Sequence, residues 1–234
     1  DTGERARLSD SAISPSVGLN VAVVKSPRHK LNLYGNYGLG FSPVFRAVNN
    51  TQFANVKPET SVSAEVGAKA LLWTRRVEGS LVFYQLDRED IVAMNPQTKR
   101  QENVGDWRIR GVETDVRVKV TPDVTLFASA AWRAPKIVRY AADPLLEGNT
   151  IPAVSRRVWA YGVEGRLTAG LSGGMQVRYA SSFYGNDKNS FRLPERTVCD
   201  AWLSHDWGKR GRIAFFVKNL FDQEYYTAVF NGVA

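Results

Sequence analysis

Hydrophobic and polar positions alternate along almost the whole chain. In residues 16–24, valine or leucine occupies every second position from Val17 to Val23, with small or polar residues between them. A period of two is typical of a β-strand with one buried face. The alternation resumes over residues 30–41 after a short break, which predicts an antiparallel hairpin.

The same alternation predicts eight further strands and no helix. These strands lie near residues 61–73, 79–87, 106–120, 124–133, 156–165, 171–184, 196–207 and 212–220. The two faces of each strand differ in polarity: Val112 and Val116, for example, alternate with Glu113, Asp115 and Arg117. One face of the predicted sheet is therefore charged along most of its length.

Alternation alone is compatible with two all-β architectures, and the lengths of the connections distinguish between them. A soluble sandwich turns its apolar face to a shared core, whereas a membrane barrel turns it to lipid. Short connections at 25–29, 74–78, 121–123, 166–170 and 208–211 alternate with long ones at 42–60, 88–105, 134–155 and 185–195. Outer-membrane barrels have short turns on one side and long loops on the other, so the order favours a transmembrane β-barrel.

Composition is compatible with this architecture and restricts the alternatives. The chain has no apolar run near the ~20 residues of a transmembrane helix, and Cys199 is its only cysteine, so no internal disulfide forms. A net charge of +8 raises the possibility of nucleic-acid binding. However, the basic residues occur in pairs such as Arg75-Arg76, and the aromatic residues lie mostly on the uncharged face, where they do not interleave with cations as stacking platforms for bases require.

Ten strands closed on themselves would enclose only a narrow interior. Burying the charged face there would require near-perfect pairing of many ions. The tenth strand would also leave an unpaired edge in lipid. We therefore expect residues 1–234 to be one segment of a larger barrel domain.

Several local motifs resemble the barrel domain of TonB-dependent outer-membrane receptors. They occur in family order over nearly the whole chain, and the Lys-Pro-Glu-Thr and Asn-Leu-Phe-Asp motifs form the most specific pair. The motifs include Lys57-Pro58-Glu59-Thr60, Asp90-Ile91-Val92, Asn103-Val104-Gly105, Gly111-Val112-Glu113 and Asn219-Leu220-Phe221-Asp222-Gln223-Glu224-Tyr225.

The resemblance implies a 22-stranded barrel in the bacterial outer membrane, with these ten strands as its twelfth to twenty-first. The plug domain, the energy-coupling box and the last strand are not in this sequence. The implied activity is energised transport with no enzymatic step and no cofactor, in which iron enters only within a bound chelate. The implied partners are the TonB complex, acting through the plug, and a ferric siderophore. Haem, cobalamin and oligosaccharide remain open as ligands.

Basic and aromatic residues in the long connections are the candidate ligand-binding residues. A cationic, aromatic mouth would attract and stack an anionic chelate. The alternative is contact with lipopolysaccharide phosphates, while the short-turn cations suit phospholipid head groups. The candidates are Phe45, Arg46, Arg133, Lys136, Arg139, Tyr140, Arg156 and Arg157.

Charged residues on the polar face are predicted to form the lumen wall. They are Glu65, Lys69, Glu113, Asp115 and Arg117. The two carboxylates Glu65 and Glu113 suggest a structural role because cations lie on the same face. His29 and His205 fall near turns, far from any shared pocket with a serine, and two histidines and one cysteine are too few for a metal site. The sequence therefore predicts no catalytic residue and no metal ligand.

Overall fold

The computed structural model describes residues 12–43, 56–95 and 98–227. Over these ranges the chain is almost entirely β-structure, as the alternation predicts. The strands are β1 (Ser16–Lys25), β2 (Lys30–Ser42), β3 (Glu59–Leu72), β4 (Val77–Met94), β5 (Gln101–Lys119), β6 (Val124–Tyr140), β7 (Arg157–Thr168), β8 (Leu171–Ala180), β9 (Phe183–Tyr184), β10 (Arg192–Leu193), β11 (Arg196–Asp206) and β12 (Arg212–Val217).

Ten of these strands form one antiparallel sheet in the order β1-β2-β3-β4-β5-β6-β7-β8-β11-β12. The two-residue strands β9 and β10 pair only with each other. The sheet is not closed, and β1 and β12 are its edges. Apart from the step from β8 to β11, each strand of this sheet pairs with the strand that precedes it in the chain, which is the topology of an up-and-down barrel wall. The prediction of an all-β antiparallel sheet of ten strands is confirmed.

Two predicted long connections are shorter than expected because strands continue into them. Strand β4 runs to Met94, β5 begins at Gln101, and β6 continues to Tyr140. Backbone pairing persists here although the regular alternation of side chains does not. We call the part of the sheet formed by residues 86–94, 101–109 and 135–140 the strand extension.

Smaller corrections concern strand ends and helices. The predicted strand 171–184 stops at Ala180, and the last strand stops at Val217. Two single-turn 3-10 helices, Pro144–Leu146 and Gly208–Arg210, contradict the prediction of no helix. The first is capped by the carboxylate of Asp143, which accepts a hydrogen bond from the Leu145 amide at 3.2 Å. Over the described ranges, no helix is both long enough and apolar enough to cross a membrane.

Register assigns each side chain to one of two faces, because directly paired residues point to the same side of a sheet. On the apolar face, Phe83 pairs with Val112, which pairs with Trp132. On the charged face, Tyr84 pairs with Gly111, which pairs with Arg133. Phe83 and Trp132 are each 50% exposed, so the apolar face has no protein cover within the described ranges.

Four aromatic rings on the charged face each lie over a glycine of the adjacent strand. Any Cβ added to one of these glycines would overlap the ring. The ring covers backbone that a glycine leaves bare, a device that stabilises sheets with glycine in their strands. The pairs are Tyr34 with Gly67, Tyr84 with Gly111, Phe127 with Gly162, and Trp202 with Gly174.

The buried core lies at the strand extension. The loop 141–156 runs back beside β6, where the Ile137 amide donates to Asn149 O at 2.8 Å and the Gly148 amide donates to Ile137 O at 2.9 Å. This fold-back covers apolar side chains that would otherwise face solvent. The resulting cluster consists of Ile91, Val104, Ile137, Tyr140, Leu146 and Ile151.

Candidate functional site

All five predicted lumen-wall residues lie on the charged face, and each has a local partner there. The Asn36 side chain donates to Glu65 at 2.6 Å, and the Lys69 ammonium lies 5.1 Å from the centre of the Tyr34 ring. The remaining partners are Ser80 for Asp115, Glu164 for Arg117 and Arg133 for Glu113.

The charged face is concave between β5 and β11. Its floor there is made of small residues that pair across the sheet, Ala131, Val158 and Ala180. Three guanidinium groups stand around this floor, those of Arg133, Arg178 and Arg196, in an open space of about 570 Å³. We call this region the inner trough.

The three arginines of the inner trough differ in how fully they are paired. Arg178 is held by Asp200, with Nη2 and Oδ2 2.6 Å apart. Arg133 is only loosely paired, its Nη2 lying 3.8 Å from the Glu113 carboxylate.

Arg196 has no carboxylate within 4 Å among the described residues. It donates to the carbonyl of Tyr226 at 2.8 Å and lies over the Tyr225 ring at 5.3 Å. Arg133 and Arg196 therefore keep guanidinium donors available to oxygen atoms of a ligand. Arg196 does not stand out in the sequence because it opens a strand next to a predicted long connection, and its aromatic partner lies 29 residues away.

The predicted mouth residues do not form one site. Phe45 and Arg46 lie outside the described residues. Arg133, Lys136, Arg139 and Tyr140 are on strand β6 and not in a loop, which corrects their predicted placement. Arg133 is on the charged face, whereas Lys136 pairs with Arg108 and Arg139 pairs with Asp106 on the opposite face.

The other three candidates have separate surroundings. Tyr140 is only 3% exposed and belongs to the apolar cluster. The Arg156 guanidinium donates to the Thr150 hydroxyl at 2.7 Å. Arg157 pairs with Trp132 and so lies on the apolar face. Among the predicted mouth residues that the structure describes, Arg133 alone lines the inner trough.

Loops 141–156 and 181–195 are joined by hydrogen bonds into a unit that we call the loop clasp. The Thr150 amide donates to Asn189 Oδ1 at 2.8 Å, and Asn189 Nδ2 donates back to Thr150 O at 2.9 Å. The Asn149 side chain donates to Asp187 O at 2.8 Å, and the Ala153 amide donates to Tyr184 O at 2.8 Å. Two loops that are separate in sequence therefore form one ordered surface.

Tyr140 and Asp187 connect the clasp to the strand extension. Both residues lie past the end of the part of the sheet in which one face is continuously apolar. The Tyr140 hydroxyl donates to the Asp187 carboxylate. Burial, together with the nearby negative charge of Asp187, raises the pKa of Tyr140 to about 12. Burial also raises the pKa of the Asp187 carboxyl, although the hydrogen bond from Tyr140 opposes this.

Asp187→Asn is expected to lower the pKa of Tyr140 toward 10, because it removes the negative charge but keeps an oxygen acceptor. With a raised pKa, the contribution of Tyr140 to clasp stability is complete below about pH 10 and is lost as the pH rises through about 12. The measurement is the ultraviolet tyrosinate titration of the full-length receptor, with Tyr140→Phe used to identify the signal. A wild-type Tyr140 that titrates near 10 would contradict the buried pair.

Two of the family motifs bind each other. The Lys57 amide donates to Asn103 Oδ1 at 2.8 Å, and Asn103 Nδ2 donates back to Lys57 O at 3.0 Å. The Glu59 carboxylate pairs with Arg88 and accepts a hydrogen bond from the Val92 amide at 3.0 Å. These motifs join the start of β3 to the strand extension, so their geometry is structural.

The Asn219-Leu220-Phe221-Asp222 motif closes a turn. Asn219 has φ 53°, and its side chain exchanges two hydrogen bonds with the backbone of Gln223, both 3.0 Å long. The Gln223 side chain in turn accepts from the Thr197 amide at 2.9 Å. The turn thus provides an acceptor for the Thr197 amide of β11, which lies past the point where β12 stops pairing with β11. It also holds Tyr225 beside Arg196.

The described ranges contain no group of three or more His, Cys, Asp or Glu side chains that could hold a metal ion. The histidines lie far from the inner trough, each beside a tryptophan: His29 is 6.5 Å from Trp73 and His205 is 4.6 Å from Trp207, measured between ring centres. That the chain has no catalytic and no metal-binding residue remains a prediction.

An up-and-down antiparallel wall with one charged and one uncovered apolar face defines the class of outer-membrane β-barrel proteins. The sequence model described as "TonB dependent receptor-like, beta-barrel" matches residues 1–220. The chain belongs to this TonB-dependent receptor β-barrel family, and its place is the outer membrane.

Curated relatives agree with this assignment. The chain is 29% identical over 183 residues to the ferrichrome outer membrane transporter/phage receptor of Escherichia coli K12, covering 74% of this chain and 24% of the relative. It is 25% identical to the ferrichrome receptor FcuA of Yersinia enterocolitica, covering 95% and 30%. A ferrioxamine B receptor of Salmonella typhimurium is 24% identical, with coverage of 83% and 28%. The chain thus spans about a quarter to a third of these relatives.

Solved structures show the same fold. The siderophore receptor PiuA of Acinetobacter baumannii superposes with a TM-score of 0.75 at 17% identity, covering 93% of this chain and 33% of that one. The ferric yersiniabactin uptake receptor FyuA of Yersinia pestis gives 0.75 at 20% identity, covering 91% and 33%. The open ten-stranded sheet therefore corresponds to part of a larger barrel wall.

Proposed function

We propose that this chain is part of a TonB-dependent receptor that binds and imports a ferric siderophore or a similar chelate. Family membership and the names of the curated relatives, ferrichrome and ferrioxamine receptors, support the siderophore class. The observation that carries the proposal on this chain is the inner trough, where the arginine donors of Arg133 and Arg196 are incompletely used.

The inner trough suits an oxygen-rich chelate. Guanidinium groups present several donors in a fixed plane, which matches carboxylate and similar ligand oxygens. The small side chains of Ala131, Val158 and Ala180 leave room for a bulky ligand to approach the wall.

The complete receptor would act with partners that lie outside this chain. The TonB complex would act through a plug domain, lipopolysaccharide and phospholipid would surround the apolar face, and iron would be cargo within the chelate. No enzymatic step is proposed, in keeping with relatives named as receptors and transporters. Haem, cobalamin and oligosaccharide are the alternative ligands.

Arg133→Gln/Arg196→Gln in the full-length receptor is expected to weaken chelate binding about tenfold or more, because each charge-assisted hydrogen bond contributes about 1.5–3 kcal/mol. The measurement is binding and uptake of ⁵⁵Fe-loaded ferrichrome, ferrioxamine B and ferric citrate by cells with equal receptor levels. Arg75→Gln/Arg166→Gln, which removes two exposed arginines at the opposite end of the sheet, is the charge-matched control.

Unchanged binding of a transported siderophore by the double variant would exclude the inner trough as its site. If no ferric siderophore binds but haem, cobalamin or an oligosaccharide does, the alternative ligand class replaces the siderophore.

A further inference from the structure

A row of apolar side chains interrupts the charged face at the start of the strand extension. Leu86 pairs with Ile109, which pairs with Pro135. These residues lie two positions beyond Tyr84 and Arg133 along their strands and therefore point to the same face. Pro135 is buried, whereas Leu86 and Ile109 keep part of their surface exposed. Apolar side chains thus face the lumen on a wall that is otherwise mostly polar or charged.

This row lies near the end of the sheet that carries the long loops. On the opposite face, Phe83 pairs with Val112, and the next row in this direction pairs Gln85 with Arg110. We call the part of the sheet in which one face is continuously apolar the apolar band, which in a membrane barrel spans the hydrocarbon. The apolar row of the charged face lies just beyond this band, at the external mouth of the lumen.

The buried cluster beside β6 does not account for the whole row. Ile109 and Val154, the latter from the loop 141–156, pack against that cluster. Leu86 belongs neither to the cluster nor to the residues packed against it, over the ranges that the structure describes. A contiguous apolar surface that stays partly exposed is typical of a binding surface. We therefore looked for the space that this surface encloses.

Leu86, Ile109 and Val154 line one open space of about 700 Å³, together with Val82 and Tyr84. We call the space bounded by these five residues the apolar recess. Its volume falls in the range of small-molecule pockets, roughly 300–1,000 Å³. Four of the five side chains are branched aliphatic groups with no hydrogen-bonding atom, so the recess favours hydrocarbon over a further set of ligand oxygens.

The apolar recess adjoins the inner trough. Val82, Glu113 and Arg133 line both spaces. Glu113 and Arg133 are the loosely paired ions whose closest atoms are 3.8 Å apart, so a ligand can lie across them without breaking a tight ion pair. A chelate whose oxygens contact Arg133 from the inner trough would have the apolar recess directly beside it.

We propose that the apolar recess holds an aliphatic acyl chain attached to the chelate that the inner trough binds. The inference rests on the proposed function and narrows its ligand to chelates that carry such a chain. The occupant follows from the continuity of the two spaces and from the aliphatic walls of the recess. A chelate without hydrocarbon would leave Leu86, Ile109 and Val154 facing water.

The test compares chelates that differ only in chain length. An acetyl or a decanoyl group is attached to ferrioxamine B through its free amine and, as an amide, to ferric citrate. Equilibrium binding of the ⁵⁵Fe-loaded forms is measured on de-energised cells that carry the full-length receptor. Binding to receptor-free cells is subtracted, which removes partition of the chain into the membrane. A buried methylene contributes about fourfold in affinity, so for at least one chelate the decanoyl form should bind at least tenfold more tightly than the acetyl form.

Two variants of the recess should abolish this preference for the long chain. Leu86→Asn keeps a side chain of similar size but makes the wall polar. Ser63→Gln is the second variant, because Ser63 pairs with Leu86, lines the recess and is exposed, so that no packed side chain is lost. Both variants should bind the acetyl forms as the wild type does, and heat-modifiable gel mobility verifies their folding.

Phe216→Asn is the matched control. Phe216 pairs with Trp202 on the charged face, is 70% exposed and lies outside both spaces, so the control should keep the full preference for the decanoyl form. Equal binding of the acetyl and decanoyl forms by the wild type, or an unchanged preference in both recess variants, would overturn the proposal. The acetyl forms test the proposed function separately: if they bind as tightly as the decanoyl forms, the siderophore receptor stands and only the acyl chain is removed.

Discussion

Gly105→Ala is expected to detach the strand extension from the rest of the fold, at a local cost of about 3 kcal/mol. Gly105 is buried and pairs with Ile91 on one side and Tyr140 on the other, next to register shifts on both sides. A Cβ at this position would overlap the backbone carbonyl of Arg139. A backbone carbonyl cannot turn away as a side chain can, so the β5–β6 pairing itself has to open.

Opening this pairing would expose the cluster beneath it. The Ala141 amide donates to Val104 O at 2.7 Å, so this hydrogen bond and the burial of Tyr140 depend on the same short stretch of β5. The measurement is hydrogen exchange of the full-length receptor, in which amides of residues 101–106 and 137–141 should lose at least tenfold of their protection while β1 to β3 keep theirs.

Gly38→Ala is the matched control for Gly105→Ala. Gly38 pairs with Ser16 and Ser63 on the charged face, and an added Cβ would meet its nearest heavy atom, Ser63 Oγ, at an ordinary 3.4 Å. Its protection pattern should match the wild type apart from the small cost of a changed strand residue. Wild-type exchange in Gly105→Ala would show that the register shift absorbs a side chain.

Sequence alternation was sufficient to predict the sheet, because every strand within the apolar band has one face that stays apolar. Sequence alternation does not predict the strand extension. Past Gln85 and Arg110, both faces contain polar side chains, so the periodic signal stops although the backbone continues to pair. Residues 88–94, 101–105 and 134–140, which the sequence predicts as external loop, are therefore strand. Arg133 and Lys136, predicted to share one mouth, lie on opposite faces because they are an odd number of residues apart.

The sequence alone does not show that Lys136 and Arg139 lie on the same face. Lys136 and Arg139 are also an odd number apart, yet both lie on the same face, because a register shift lies between Asp106 and Trp107 on the paired strand. Such a bulge inserts a residue into one strand and resets its alternation. Only the pairing shows where that happens.

Contacts between motifs that are distant along the chain are also not predicted by the sequence. In the sequence, Lys57-Pro58-Glu59-Thr60 and Asn103-Val104-Gly105 are two separate motifs that each resemble the family. Their mutual hydrogen bonds join residues 46 positions apart, and no local property of either motif indicates the other. Arg196 and Tyr225 of the inner trough are similarly brought together by a turn whose geometry depends on Asn219.

Ile137→Ala is expected to destabilise the loop clasp by about 2–5 kcal/mol, the range for removing a fully buried aliphatic side chain. Ile137 is 0% exposed and lies at the centre of the apolar cluster. Its backbone also closes the loop 141–156 through hydrogen bonds with Gly148 and Asn149. The cavity would remove contacts with Leu146 and Ile151, the two loop residues that hold the clasp down.

Trypsin provides the measurement, because the clasp contains the exposed cleavage sites Lys188 and Arg192. Cleavage that requires opening of the clasp accelerates with the population of the open form, so full-length Ile137→Ala receptor in detergent should be cut in loop 181–195 at least ten times faster than wild type. Val138→Ala is the control, since its side chain is 40% exposed and adjacent in sequence. Equal cleavage rates for Ile137→Ala and Val138→Ala would mean that hydrogen bonds alone hold the two loops together and that the apolar cluster contributes little to the clasp.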